Sequence, residues 1–175
     1  SINHVTGETQ IRETAGSIQR VWLDPANTPA FPPAISAVLS ADLIVIGPGS
    51  LYTSILPNLL VRDLTEAVRV SQALKLFICN VATERGETDQ YNCIDHIKTV
   101  EKHVGEGIFD LVICNDHFEG HLGENVEWVR MDMELLQHVS VYCSNLTDKA
   151  HPWRHDSKKL AKTVMDLFDE RTGPL

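Results

Sequence analysis

The stretch from Leu43 to Ser50 constrains the fold more than any other part of the sequence. It begins with four consecutive apolar residues, Leu43-Ile-Val-Ile46, a run typical of a parallel strand that is covered on both faces of its sheet. Gly47-Pro-Gly-Ser50 follows directly, and glycine and proline in this arrangement mark the turn between a strand and the next element. The order of strand, turn and helix is the repeating unit of α/β folds.

The same unit repeats along the chain. Further apolar runs are Leu76-Phe-Ile-Cys79 and Leu111-Val-Ile-Cys114. This alternation with helical periodicity predicts an α/β fold, a Rossmann-like three-layer sandwich with a mainly parallel sheet. The predicted helices lie over Val61–Ala73, through Ile94, Ile97, Val100 and Val104, from Pro32, and from Asp156 or Ser157; further strands are predicted at Ser17–Leu23, Val126–Met131 and Val139–Cys143.

Size and charge bound the domain organisation and the partners. A chain of 175 residues, 43% of them hydrophobic, is long enough for one core and short for two, which predicts a single α/β domain over residues 1–175. The formal charge of -9 leaves no excess of cations to neutralise a nucleic-acid backbone. The sequence shows neither an apolar run of about 20 residues nor a secretion signal at its start. We therefore expect a cytoplasmic protein that binds neither nucleic acid nor a membrane.

The sequence contains four cysteines, Cys79, Cys93, Cys114 and Cys143. No two of them have Cys-x-x-Cys spacing, and three end apolar runs that predict strands. We interpret all four as reduced structural thiols. Cys114 also has a spacing to two nearby histidines that would suit zinc, but no fourth ligand accompanies them, and no metal is assigned.

The stretch Gly47–Ser54 lies where open α/β sheets bind ligands, between the end of a strand and the start of a helix. Its glycines allow close approach of the backbone, and the amides of Gly49, Ser50 and Leu51 can point at an anion, assisted by the helix dipole. The stretch lacks the lysine of the nucleoside-triphosphate P-loop and the Gly-x-Gly-x-x-Gly pattern of dinucleotide sites. We predict a phosphate-binding loop; the alternative is a tight turn capped by Ser50.

A second polar loop, residues 80–89, occupies the same position after the next predicted strand. The two loops are therefore expected to face one crevice. The alternative is a capped helix start with solvated charges. The predicted contributions are Arg85 to a phosphate, Asn80 and Thr83 to a sugar or base, and Glu87 or Asp89 to hydroxyl groups or a divalent metal.

Two single residues complete the candidates. Arg154, just before the last predicted helix, can reach back as a fixed cation toward a phosphate, and the alternative is an ordinary surface arginine. His96 begins a helix beside the second loop and can act as a general base. A single helical histidine is more often a packing or surface residue, so no catalytic residue is assigned.

Five stretches stand in an order shared with one known family. The longest reads Ile46-Gly-Pro-Gly-Ser-Leu-Tyr-Thr-Ser-Ile-Leu-Pro-Asn-Leu-Leu60. The others are Asn80-Val-Ala-Thr83, Gly86-Glu-Thr-Asp89 with Asp95-His-Ile97, and Arg154-His-Asp156. Together they resemble the signature of the YvcK/CofD-like family, that of the gluconeogenesis factors. The resemblance implies that the chain is the C-terminal portion of a longer protein of this family.

Within that family, Ser50-Leu-Tyr-Thr-Ser54 is similar to the regulator branch. The resemblance implies a regulator of central carbon metabolism and cell shape that binds a UDP-sugar such as UDP-N-acetylglucosamine, with no cofactor assigned. The ligand-binding residues predicted from the loops and the resemblance are Gly47, Gly49, Ser50, Leu51, Tyr52, Thr53, Ser54, Asn80, Thr83, Arg85, Gly86, Glu87, Thr88, Asp89 and Arg154.

Two alternatives to a binding regulator remain at this point. The first is an enzyme similar to 2-phospho-L-lactate transferase of coenzyme F420 biosynthesis, in which Glu87 or Asp89 would hold Mg²⁺. The second is a structural half that folds through an exposed sheet edge against a partner or as a homo-oligomer.

Overall fold

The computed structural model describes residues 4–13 and 16–173. Its centre is a four-stranded sheet in the order β1-β2-β3-β4. All three neighbouring strand pairs are parallel. The strands are β1 (Leu43–Ile46), β2 (Leu74–Ile78), β3 (Leu111–Asn115) and β4 (Val141–Ser144). The predicted α/β fold with a mainly parallel sheet is therefore confirmed.

Helices connect the strands, as parallel pairing requires. A π-helical turn, Leu51–Ile55, follows β1 and runs directly into α3. The α-helices are α1 (Glu8–Glu13), α2 (Pro32–Leu39), α3 (Leu56–Leu59), α4 (Arg62–Val70), α5 (Cys93–Val104), α6 (Met133–His138) and α7 (Ser157–Thr172). Within the described ranges, no helix is long and apolar enough to cross a bilayer.

The central strand β3 is fully buried, as its apolar residues Leu111 to Cys114 predict. The edge strand β1 leaves Val45 exposed, so the predicted cover on both of its faces is wrong, because no described strand or helix covers that position. Phe77 and Val112 pack on one face of the sheet with residues of α3, α4 and α5. Ile78 and Ile113 pack on the other face with Val164 and other residues of α7. The arrangement is the predicted three-layer sandwich.

Two predicted strands are wrong. Ser17–Leu23 is not a strand. Ile18 and Val21 pack against the core from outside the sheet. Their side chains are partly buried, but the backbone of this segment does not pair with a strand. Val126–Met131 is also not a strand. Trp128 makes one isolated antiparallel bridge to Ala82, because this segment lies along the loop after β2 instead of along a strand of the sheet.

The remaining elements follow the sequence closely. The strand predicted at Val139–Cys143 is β4, displaced toward the C-terminus. The last helix begins where Asp156 accepts hydrogen bonds from the backbone amides of Lys158 and Lys159, as expected of an aspartate at a helix N-cap. The short helix α6 was not predicted, although Asp132 caps it in the same way through the amide of Leu135.

Candidate functional site

The loops after β1 and β2 leave the same edge of the sheet and contact one another. The first loop turns sharply at Gly47, whose φ is +88°, and a Cβ atom there would lie 2.9 Å from the backbone oxygen of Ile78. Only glycine satisfies both conditions without strain. The close packing of Gly47 on the end of β2 thus sets the position of the first loop relative to the second.

Asn80 joins the two loops through its side-chain amide. Its Oδ1 accepts from the backbone N–H of Gly49 at 3.4 Å, and its Nδ2 donates to the oxygen of Gly49 at 3.1 Å. Nδ2 also donates to Oε1 of Glu84 at 3.1 Å. A single side chain therefore fixes the backbone of the glycine loop and orients a carboxylate toward it.

Two carboxylates of the second loop accept hydrogen bonds from hydroxyl groups of the first. Ser50 Oγ donates to Glu84 Oε2 at 2.5 Å, and Thr53 Oγ1 donates to Glu87 Oε1 at 3.1 Å. Glu84 was not predicted as a site residue. The sequence contains no periodic signal for it, because a turn over residues 84–88 decides which carboxylates face inward. In that turn the oxygen of Glu84 accepts from the amides of Glu87 and Thr88.

The π-helical turn over Leu51–Ile55 begins directly after Ser50 of the first loop. The oxygen of Ser50 accepts from the amides of both Ser54 and Ile55 at 2.9 Å, so these are the first intrahelical donors. Leu51 and Tyr52 precede them, and their side chains are buried, with the Tyr52 hydroxyl 2.6 Å from that of Tyr91. Leu51 and Tyr52 are therefore parts of the core that supports the loop, and the structure presents neither of them to a ligand as predicted.

Several residues predicted in the second loop hold the loop itself. Thr83 and Thr88 are buried; Thr83 Oγ1 accepts from the amide of Glu127, and Thr88 Oγ1 accepts from the amide of Glu84. The amide of Gly86 donates to Asp89 Oδ2 at 2.8 Å. These contacts explain the density of polar residues in the loop without a ligand.

The two predicted cations, Arg85 and Arg154, are both exposed. Arg154 lies in the loop before α7, whose neighbouring residue His155 is within hydrogen-bond distance, 3.2 Å, of the Cys79 oxygen through Nε2. Because Cys79 immediately precedes Asn80, the Arg154 loop lies at the same sheet edge as the two loops. This edge of the sheet therefore carries two carboxylates that contact the first loop and two exposed arginines.

Comparison with known proteins identifies the family of this chain. Residues 2–172 match the family described as "2-phospho-L-lactate transferase CofD". The chain belongs to this family. The gluconeogenesis factor of Halalkalibacterium halodurans is 49% identical, over 93% of this chain and 53% of the relative. That of Bacillus subtilis is 39% identical, over 95% of this chain and 55% of the relative.

A solved structure of a CofD-family relative has the same fold. A member of the UPF0052 family from Bacillus halodurans matches with a TM-score of 0.84 and 36% identity, over 92% of this chain and 54% of that chain. The chain thus spans about half the length of the relatives it matches. The resemblance found in the sequence is confirmed at the level of the family.

A cavity of about 580 Å³ lies beside the second loop of this family member. Its lining includes Trp128 and Arg130. The cavity adjoins the loop because the Thr83 amide donates to the oxygen of Glu127, another lining residue, at 2.9 Å. Arg130 lies 4.1 Å from the ring centroid of Phe118. This aromatic and cationic wall was not predicted, since the segment was interpreted as a strand of the sheet.

His96 is a core residue in this structure. It is 1% exposed, its Nδ1 lies 2.8 Å from the oxygen of Asn92, and its Nε2 is buried without a hydrogen-bond partner. Burial lowers the pKa of His96 below its ordinary value near 6.5. The geometry therefore favours the packing interpretation of His96 over that of a general base in the crevice.

The pKa of His96 predicts a loss of stability in mild acid. A group whose pKa is lower in the folded chain contributes stability that is complete above its unfolded pKa and declines as the pH falls. We expect the free energy of unfolding to fall below pH 6.5 by at most about 1.4 kcal/mol per pH unit for this proton. Urea denaturation across pH should show a shallower decline for His96→Gln, and an unchanged one for the exposed control His121→Gln. Equal declines in all three proteins would contradict the assignment.

Proposed function

We propose that this chain is a regulatory protein that binds a UDP-sugar of the UDP-N-acetylglucosamine type in the crevice between the Gly47 and Asn80 loops. The observation that carries the proposal is the pairing of these loops at the carboxyl edge of a parallel sheet, the position where such sheets bind ligands. We further propose a cytoplasmic role in central carbon metabolism and cell shape. The gluconeogenesis factors among its relatives support this choice of process.

The first loop offers the contacts that a diphosphate needs. Gly49 and Ser50 are half-buried, and a glycine lets the backbone approach a ligand closely. Ser50 adds a hydroxyl at the crevice. Arg154 is exposed at the same sheet edge and has the length to place a guanidinium on a phosphate.

The neighbouring cavity suits the neutral part of such a ligand. Trp128 contributes an aromatic surface on which a base or sugar ring can stack. The cavity volume of about 580 Å³ falls within the range of small-molecule sites. The ligand would therefore lie with its phosphates on the Gly47 loop and its rings toward Trp128.

Calorimetric titration of UDP-N-acetylglucosamine tests this proposal. The chain should bind without turnover, and Arg154→Ala should weaken binding roughly 10- to 100-fold, the effect of losing one charge-assisted hydrogen bond. Ser50→Ala should weaken binding less, because the Ser50 hydroxyl already donates to Glu84. Arg171→Ala is the matched control, because it removes the same charge from an exposed position about 20 Å further along α7. Equal weakening by Arg171→Ala would contradict a specific phosphate contact.

A parallel titration of the full-length gluconeogenesis factor of Halalkalibacterium halodurans locates the rest of the site. Binding by both proteins would place the essential contacts in the half that they share. Binding by the relative alone would assign essential contacts to the part of the relative outside the match. Absence of binding in both would refute the UDP-sugar as the ligand.

The paired carboxylates favour a second candidate, a transferase similar to 2-phospho-L-lactate transferase. Glu84 and Glu87 both face hydroxyls of the first loop, and carboxylate and hydroxyl oxygens form a hard donor set that suits Mg²⁺. When bound, that ion would neutralise phosphate charge. Ser50 would orient the phosphate of a phospholactyl-guanosine donor toward a deazaflavin acceptor.

Glu84→Gln separates the two candidates. A neutral amide keeps the shape of Glu84 but removes its charge, so metal-independent binding of a UDP-sugar should tighten, because repulsion of the phosphates decreases. A Mg²⁺-dependent transferase should instead lose donor binding and product formation. Calorimetry with and without Mg²⁺, together with chromatography for the phospholactyl-deazaflavin product, distinguishes the outcomes.

A further inference from the structure

The parallel register brings three cysteines from neighbouring strands to one level of the sheet. Ile78 pairs with Ile113, so Cys79 and Cys114 follow side by side, and Cys114 pairs with Cys143 on β4. All three belong to the cluster of residues packed on the α5 face. Cys93, the first residue of α5, belongs to the same cluster. Residues distant in sequence thus form one group, which we term the thiol cluster.

The sulfur atoms of Cys79, Cys93 and Cys114 are close enough to share one ion. The Sγ atoms of Cys79, Cys93 and Cys114 all lie within 4.8 Å of one another, and the three side chains are fully buried. Tetrahedral Zn²⁺ with thiolate bonds of about 2.3 Å separates its sulfur ligands by about 3.8 Å. Contraction of each pair by no more than about 1 Å, within the reach of small χ1 adjustments, would complete that geometry.

A polar atom near the thiols also lacks a partner. The Oδ2 atom of Asp132, the N-cap residue of α6, is buried without a hydrogen-bond partner among the described residues. The charge of this carboxylate acts on Cys93, so a cation bound by the thiols would offset it.

We propose that Cys79, Cys93 and Cys114 bind one Zn²⁺ as thiolates. Each thiol that coordinates releases its proton to solvent. The donor set is soft sulfur, which selects zinc over Mg²⁺ or Ca²⁺. The ion would tie the ends of β2 and β3 to the start of α5. No two of these cysteines have the sequence spacing of a common metal motif. Strand register and the start of α5 bring them together in the fold.

Cobalt titration of the reduced, chelator-treated chain tests the proposal. One Co²⁺ per chain should produce a thiolate charge-transfer band in the near ultraviolet and the visible bands of a tetrahedral site, and one equivalent of Zn²⁺ should abolish both. Zn²⁺ should raise the thermal midpoint by several degrees. Absence of the charge-transfer band in the folded, reduced chain would overturn the proposal and leave four packed thiols.

Two core substitutions separate loss of a ligand from loss of packing. Cys114→Ala should reduce bound zinc, measured by elemental analysis after dialysis, from one equivalent to below one tenth. Val112→Ala, which removes a buried side chain from the same face of β3, should lower the thermal midpoint but retain the zinc. Full zinc in Cys114→Ala, or loss of zinc from both variants, would overturn the assignment. Neither result depends on UDP-sugar binding, so the zinc site and the proposed function fail separately.

Discussion

Gly47→Ala is expected to destabilise the chain by about 2–5 kcal/mol. Part of the cost is a non-glycine residue held at φ +88°, which is about 1–2 kcal/mol. The rest is displacement of β2, because the new Cβ would lie 2.9 Å from the backbone oxygen of Ile78, and overpacking of this kind costs about 1–3 kcal/mol. UDP-sugar binding should be lost together with the loop geometry.

Gly107→Ala provides the control for this prediction. Gly107 also has a positive φ, +71°, but a Cβ there meets no atom within 4 Å. Its substitution isolates the backbone strain and should cost about 1 kcal/mol. Urea denaturation of both variants gives the difference directly. Equal destabilisation would show that the contact of Gly47 with Ile78 does not constrain the loop.

Phe77→Ala is expected to cost about 3–5 kcal/mol, the typical loss for a buried aromatic residue that leaves a cavity. Phe77 is fully buried in β2, and its ring centroid lies 4.8 Å from that of Phe109. The residue packs between the sheet and α5, so its removal weakens the support of both site loops. A marginally stable chain would unfold.

Phe31→Ala applies the same chemical change at a position that is 71% exposed. It should alter the free energy of unfolding by no more than about 0.5 kcal/mol. Chemical denaturation followed by circular dichroism checks both values. A small effect of Phe77→Ala would mean that the layer between β2 and α5 is not a cooperative part of the core.

The fold could be predicted because its determinants are local. β1 and β3 are apolar runs that mark strands, although only β3 is buried throughout, and the periodicity of α5 marks its packed side. Ser17–Leu23 has the composition of a strand, and nothing local indicates that it lacks a ladder partner. Strand identity depends on a neighbouring strand, which a single segment does not reveal.

The candidate site was predictable in position but not in its internal contacts. The location of Gly47 and Asn80 follows from the strands that precede them, so their proximity could be expected. The contact of Ser50 with Glu84 depends on the turn over residues 84–88, which the sequence alone does not orient. The thiol cluster escaped prediction for the same reason, since strand register brings its members together.

The hydrogen bonds of Ser50 and Thr53 to glutamates have a consequence for selectivity. An anion that takes either hydroxyl must displace a carboxylate that already accepts from it. The net gain in binding free energy is then only the difference between the hydrogen bond to the anion and the one to the carboxylate. Inorganic phosphate should therefore bind weakly, and discrimination between ligands would fall to their uncharged rings. The two loops, paired in this way, are expected to discriminate against simple phosphates, which offer no ring.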